Sequence, residues 1–269
     1  MSTGVERETT IAPSSRSAAF FDLDRTLISG SSAFSFGIAA WRADLLRTRQ
    51  LLRDAIAALS FRFSGSTDEK AVQVRARILE AVRGNRQSDL VAINADIIPK
   101  LMLKVRPEAR ELLDLHRRAG RNTYIVSASP QEMVGPLAEA LGMTGGVGTV
   151  SEVKEGVYTG ELAGPFCYAD GKVEAIRELA GWENFDLERC FAYSDSASDL
   201  PMLESVGHPV AVNPDGPLER VAHQRGWPIV IFRRRTKRVV KRTAALMAAA
   251  GFAAGSFAAG LHIGRRHPI

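Results

Sequence analysis

Five short apolar runs, spaced through the chain and interleaved with amphipathic stretches, restrict its fold more than any other feature. They are "SAAFFDL" (17–23), "NTYIVSA" (122–128), "CFAYSD" (190–195), "HPVAVN" (208–213) and "WPIVIF" (227–232). Each is too short for a helix and rich in β-branched or aromatic residues, so each reads as a buried strand. Helical spacing of apolar positions marks "PEARELLDLHRRAG" (107–120), "PQEMVGPLAEALG" (130–142) and "KVEAIRELAG" (172–181). Strands alternating with helices predict an α/β fold, a parallel sheet covered on both faces. With 269 residues, 45% of them hydrophobic, the chain is large enough to bury that core.

The first two runs are separated by residues 24–121, far more than one crossover helix needs. Apolar positions at helical spacing over 33–62, 69–84 and 87–103 predict an inserted helical cap. A second insertion, "GTVSEVKEGVYTGELAGP" (148–165), reads as a β-hairpin turning at "KEGV". The expected organisation is a disordered lead-in over 1–17, a catalytic core over 18–32 and 104–232, and a helical cap over 33–103. A basic linker over 233–242 and an apolar helix over 243–264 follow.

The net charge of +5 belongs to the tail. Residues 233–269 hold nine Lys and Arg and no acid, and removing those nine from 35 leaves 26 basic against 30 acidic residues in the body. A mildly acidic body with no aromatic platform beside the basic run argues against a nucleic-acid partner. Cys167 and Cys190 stand in neither metal nor redox spacing, and none of the five histidines pairs with another at ligand spacing. A reducing cytosol fits this usage. Neither a Walker-type glycine loop nor the apolar stretch of a signal peptide is present.

The informative residues fall where strands give way to helices, the place where ligands bind in a doubly wound sheet. In "FFDLDRT", Asp22 and Asp24 point to one side of an extended segment. Such a pair serves either as a solvated turn or as a site that shares a cation or divides acid and base roles. In "IVSASPQE", Ser129, Pro130 and Glu132 fit an N-cap, first helical position and capping box, which leaves Ser127 at the strand tip. "YADGKVEAI" offers Asp170 as a cap and puts Lys172 in a first helical turn, where a cation opposes the helix dipole unless an anion joins it. "AYSDSASDLPML" sets Asp195 just past a strand and Asp199 four residues on, before Pro201.

This series, Asp-x-Asp, Ser, Lys, then Asp-x-x-x-Asp, resembles the haloacid dehalogenase superfamily, and within it the phosphoserine-phosphatase-like branch with a helical cap. The likeness runs from about Ala18 to Phe232 and rests on "DLDRTL" and "SDSASDLPML". It implies a Rossmann-like core of strand order 3-2-1-4-5 and a magnesium-dependent phosphomonoester hydrolase. Asp22 is then the nucleophile and Asp24 the acid and base. Ser127, Ala128 and Lys172 bind the phosphoryl group, and Asp22, Asp24, Asp195 and Asp199 form the metal set. The implied substrate is phosphoserine or another small phosphate ester. The chain departs from the branch at Ser31, near the place of an acid that holds a substrate amine, and at Ser198, where Asn is usual. Arg25 replaces a small residue, and its guanidinium either favours a more anionic substrate or points to solvent.

After the last run, "RRRTKRVVKR" precedes residues 243–264, which lack Asp, Glu, Lys and Arg and include nine Ala and four Gly. The stretch is long enough to span a bilayer, and Gly251/Gly255 and Gly260/Gly264 have the spacing of self-associating membrane helices. Seven basic residues before it and two after it put the body on the cytoplasmic face of a membrane, a soluble cytoplasmic protein being the alternative. The tail brings two further function classes into view, a lipid-linked phosphate phosphatase and a catalytically weak membrane-bound scaffold.

Overall fold

In the computed structural model, residues 16–45, 75–76, 79–80 and 82–232 are described. The chain divides into two units, Met1–Ile231 and Phe232–Ile269, and the second lies outside the described residues but for its first member. The linker expected over 233–242, the helix expected over 243–264 and most of the 1–17 lead-in therefore fall outside them. Where the lead-in is described, it is ordered: the Arg16 carbonyl accepts a hydrogen bond from the Asp186 amide. Among the described residues no helix is long and apolar enough to cross a membrane.

All five apolar runs contain strands: β1 (Ala18–Phe21), β2 (Asn122–Pro130), β6 (Phe191–Ser194), β7 (His208–Val212) and β8 (Ile229–Val230). A sixth, β3 (Gly145–Thr149), was not evident in the sequence. The sheet is parallel, in the order β3-β2-β1-β6-β7-β8. β3 lacks the usual strand composition because its glycines make room for a neighbour. A Cβ on Gly146 would stand 2.7 Å from the Val134 carbonyl oxygen, and one on Gly148 would stand 2.8 Å from that of Ser129. The helix after β2, numbered α5 below, can approach the sheet edge only over bare backbone.

Described helices are α1 (Ser32–Arg42), α2 (Gln87–Ala92), α3 (Asn94–Met102), α4 (Pro107–Arg118), α5 (Gln131–Ala140), α6 (Asp170–Glu183), α7 (Leu200–Glu204) and α8 (Gly216–Arg225). Phe20 and Phe21 point to opposite faces of β1, and both are buried. Phe20 joins Tyr124, Ile176 and Met202 beneath α6 and α7. Phe21 stacks on Tyr193 at 4.5 Å and meets His116 of α4 edge-on, so α4 covers the other face. Burying each ring contributes on the order of 2–3 kcal/mol.

The expected hairpin forms from β4 (Ser151–Lys154) and β5 (Val157–Leu162), turning through Glu155 and Gly156, both with positive φ. It does not stand alone. The Gly84 amide donates to the Tyr158 carbonyl, Tyr158 donates to Asn85, and Gln87 donates to Gly156. Tyr158 is buried with Val82 and Leu90, so the two insertions share one small core above the sheet.

Candidate active site

The carboxyl ends of β1, β2 and β6 bring six polar side chains together. Asp22, Ser127, Lys172 and Asp199 are fully buried, and Asp24 and Asp195 nearly so. Asp22 follows β1 directly, and its amide donates to the Tyr193 carbonyl of β6 (2.9 Å), which locks the first acid to the strand that leads into Asp195. Lys172, the third residue of α6, reaches into the interior. Its Nζ lies 2.6 Å from Asp22 Oδ1 and 2.9 Å from Asp199 Oδ2. The cation that looked misplaced at a helix start is thus resolved by two buried carboxylates.

The backbone around Lys172 is tightly packed. Ala169, which precedes α6, has a φ of +48°, and a Cβ on Gly171 would overlap the Phe166 carbonyl oxygen. Ala169, not Asp170, holds the capping position, and no side chain caps this helix.

Asp24 is oriented by α1. Its Oδ1 accepts a 2.7 Å hydrogen bond from the Ser32 amide at the helix start, while Ser31 caps the same helix by accepting from the Phe34 amide. Ser31 is thereby occupied as a helix cap. Ser32 Oγ stands 2.9 Å from Ser129 Oγ. This corrects the reading of Ser129 as an N-cap: α5 begins at Gln131 after Pro130, without a side-chain cap, and Ser129 closes a contact between α1 and β2 instead. Glu132 completes no capping box and accepts from Gln87 Nε2 at 3.2 Å. Ser127 Oγ accepts from the Ser129 amide (3.2 Å), a turn that leaves the hydroxyl hydrogen for another acceptor. Ala128, between them, is half-buried.

Asp199, also expected in the metal set, uses one of its oxygens on the lysine. Its Oδ2 receives both Lys172 Nζ and Ser194 Oγ (2.6 Å), so it holds the lysine. Asp195 is paired with Arg25, whose guanidinium lies 2.6 Å from Asp195 Oδ2. Arg25 adopts a φ of +65°, a left-handed conformation that a non-glycine residue enters at a cost of roughly 1 kcal/mol. Its side chain turns inward onto an acid of the site.

Three residues of the site were not singled out from the sequence. Ser32 and Ser194 orient Asp24 and Asp199. Asp215 caps α8 through the Leu218 amide, accepts from the Ala197 amide, and donates its own amide to the Asp195 carbonyl. Only Asp215 carried a readable signal, an Asp before Gly-Pro at the start of an amphipathic stretch.

Among the described residues no group of three or more His, Cys, Asp or Glu side chains is gathered for a metal ion. The donors nonetheless suit a hard divalent cation. Asp22 and Asp195 end adjacent strands, the Asp24 carbonyl lies between them in sequence, and magnesium takes one or two carboxylates and completes its shell with water and phosphate oxygens. Charge agrees, since the three carboxylates of Asp22, Asp195 and Asp199, paired with Lys172 and Arg25, leave one formal negative charge to offset.

The sequence profile of the family described as haloacid dehalogenase-like hydrolase matches residues 19–204. The chain is 43% identical over 221 residues to the inhibition of morphological differentiation protein of Streptomyces azureus, covering 81% of this chain and 79% of that one. It is 38% identical over 245 residues to a phosphoserine phosphatase of Mycobacterium tuberculosis, covering 90% and 80%. A crystal structure of a protein of unknown function from Bordetella pertussis Tohama I superposes with a TM-score of 0.68 at 26% identity, covering 80% of this chain and 98% of that one. A profile match over most of the core, relatives of this identity and a site built at the strand ends agree: the chain belongs to the haloacid dehalogenase-like hydrolase family, as a phosphatase.

Proposed function

We propose that the protein hydrolyses phosphate monoesters through an aspartyl-phosphate formed on Asp22. The observation that carries this reading is the buried Asp22 carboxylate, held by Lys172 at 2.6 Å, with Asp24 two residues on and fixed by the Ser32 amide. Lys172, itself held by Asp199, donates to Asp22 Oδ1 and aims that carboxylate at the strand ends. An Asp22 oxygen attacks phosphorus, the bond from phosphorus to the ester oxygen breaks, and Asp24 gives its proton to the departing alcohol. Asp24 then takes a proton from water as that water attacks the phosphorus, which releases inorganic phosphate and restores Asp22. Ser127, the Ala128 backbone and Lys172 bind the phosphoryl oxygens, where charge develops in the transition state. Magnesium, held by Asp22, Asp195 and the Asp24 carbonyl, supplies positive charge at those oxygens when bound. Asp199 acts through Lys172. The cap, residues 33–103 with the hairpin packed on it, excludes water from the intermediate.

A substrate series with magnesium tests the reading: phosphoserine, histidinol phosphate, other small esters and lysophosphatidate. Hydrolysis by the native protein and its loss in Asp22→Asn support it. Substantial magnesium-dependent turnover in Asp22→Asn overturns it. The tail reading rests on the sequence: residues 243–264 hold the catalytic body at the cytoplasmic face of a membrane. Fractionation of the full chain and of a chain lacking residues 233–269 tests it, since a full-length protein that stays soluble at both low and high salt rules out the anchor.

A further inference from the structure

A pocket lies between α1, the end of β2 and the hairpin, and the surface of its walls is mostly apolar. One wall is a single stripe of α1: Ala33, Phe36, Gly37 and Ala40, at the i, i+3, i+4, i+7 spacing of one helix face. Three of these four residues are Ala or Gly, and their small side chains make the space. The facing wall is Leu79, Val82, Leu90 and Leu162. Ala33, Ala128 and Ser129 belong to the lining: Ala33 directly follows Ser32, whose amide holds Asp24, and Ala128 directly follows Ser127. The residue that orients Asp24 thus adjoins the pocket, so the alcohol portion of the substrate enters it.

Of the polar residues on the walls, Asn85 donates to the Leu45 carbonyl and Thr149 to that of Ala128; Arg75 lines the pocket as well, but the wall surface as a whole is mostly apolar. Glu132 accepts from Gln87 and lies against the Tyr158 hydroxyl, whose pKa is raised by burial and then by that carboxylate. Ser31, near the place where the phosphoserine-phosphatase-like branch sets an amine-holding acid, serves as the cap of α1. A zwitterionic amino-acid portion would have to leave water for apolar walls, whereas a hydrocarbon chain gains by the same transfer.

We infer that the preferred substrate is a phosphate monoester whose alcohol carries an apolar chain, seated in the pocket between α1 and the cap wall. The inference rests on the phosphatase reading given above. The charge-free stretch 243–264 behind its basic run, which the sequence marks as lipid-seeking, suits the same amphiphilic class.

Linear alkyl phosphates from ethyl to decyl, below their micellar concentrations and with magnesium, test it on the full chain, with phosphoserine alongside. Burial of each methylene is worth about fourfold. We expect kcat/KM to rise by up to about that factor per carbon, level off when the pocket is full, and exceed the value for phosphoserine. Ala40→Phe, which fills the stripe, lowers the ratio of octyl to ethyl phosphate turnover at least about tenfold. A flat or falling series in a protein that hydrolyses ethyl phosphate and phosphoserine overturns the pocket assignment and leaves the phosphatase reading standing. No hydrolysis of any ester overturns both. Should Ala40→Phe fail to fold, calorimetric binding of octyl against ethyl phosphate to Asp22→Asn decides the matter, equal affinities counting against the pocket.

Discussion

Replacing Lys172 by Met removes one charge while keeping most of the side-chain volume, and its cost can be worked from the site. Nζ is 2.6 Å from Asp22 Oδ1 and 2.9 Å from Asp199 Oδ2, and all three side chains are fully buried. Two unit charges at such distances attract by roughly 6 kcal/mol at an effective dielectric constant of 20, but desolvation of each ion offsets much of this. Breaking a buried pair by deleting one partner typically costs about 3–5 kcal/mol, because the remaining charge stays in the interior. Here two carboxylates are left behind, which places the expected loss at the upper end. Urea denaturation of the native and Lys172→Met proteins in the presence of a chelator measures it, so that no bound cation substitutes for the lysine. Adding Asp199→Asn to Lys172→Met removes one of the abandoned charges and should return about 1–3 kcal/mol of stability without restoring activity. A loss below about 1 kcal/mol for Lys172→Met would show that the buried network does not hold the site together, and the reasoning would be wrong.

Other outcomes follow from the same structure. His116 is fully buried, bonded through Nε2 to the Tyr193 hydroxyl at 2.7 Å, and its pKa is lowered to about 4 by burial and then by Arg121. A folded-state pKa below the unfolded value of 6.5 means that its neutral form supports the fold above pH 6.5, and that stability falls as pH drops toward 4. The total is about 3 kcal/mol, and denaturation of the native and His116→Gln proteins across that range should show a flatter profile in the variant. Gly171→Ala drives a Cβ into the Phe166 carbonyl next to Lys172, so it should lower stability by about 1–3 kcal/mol and reduce kcat, measured by denaturation and steady-state kinetics. Arg25→Ala frees Asp195 from its internal cation, so calorimetry should find tighter magnesium binding, and the chelated protein should lose about 1–3 kcal/mol of stability. Unchanged magnesium affinity would mean that Arg25 does not compete for Asp195.

The sequence makes legible the features that depend on residue type at fixed spacing. The five strands carry β-branched and aromatic runs, and the hairpin carries Glu155-Gly156 at its turn, so both were readable. β3 was not, because Gly146 and Gly148 are there to let α5 approach, and that requirement suppresses the composition by which strands are recognised. The acids, Ser127 and Lys172 stand at junctions in an order that points to the site. Their pairings are three-dimensional: nothing in "SDSASD" says that Asp199 turns to Lys172 while Asp195 meets Arg25. Ser129 misled because Ser-Pro-x-Glu is a sound capping signal, overridden here by a tertiary contact with Ser32. The inward turn of Arg25 depends on a left-handed backbone that residue type does not announce.

The most direct test is to quench the native protein in acid during turnover of a phosphate ester with magnesium and to map the phosphorylated residue by mass spectrometry. Phosphate on the peptide "FFDLDRT", localised to Asp22 and absent from Asp22→Asn, is the expected result. Turnover that persists in Asp22→Asn, or a phosphoryl group trapped on another residue, would contradict the assignment of Asp22 as the nucleophile.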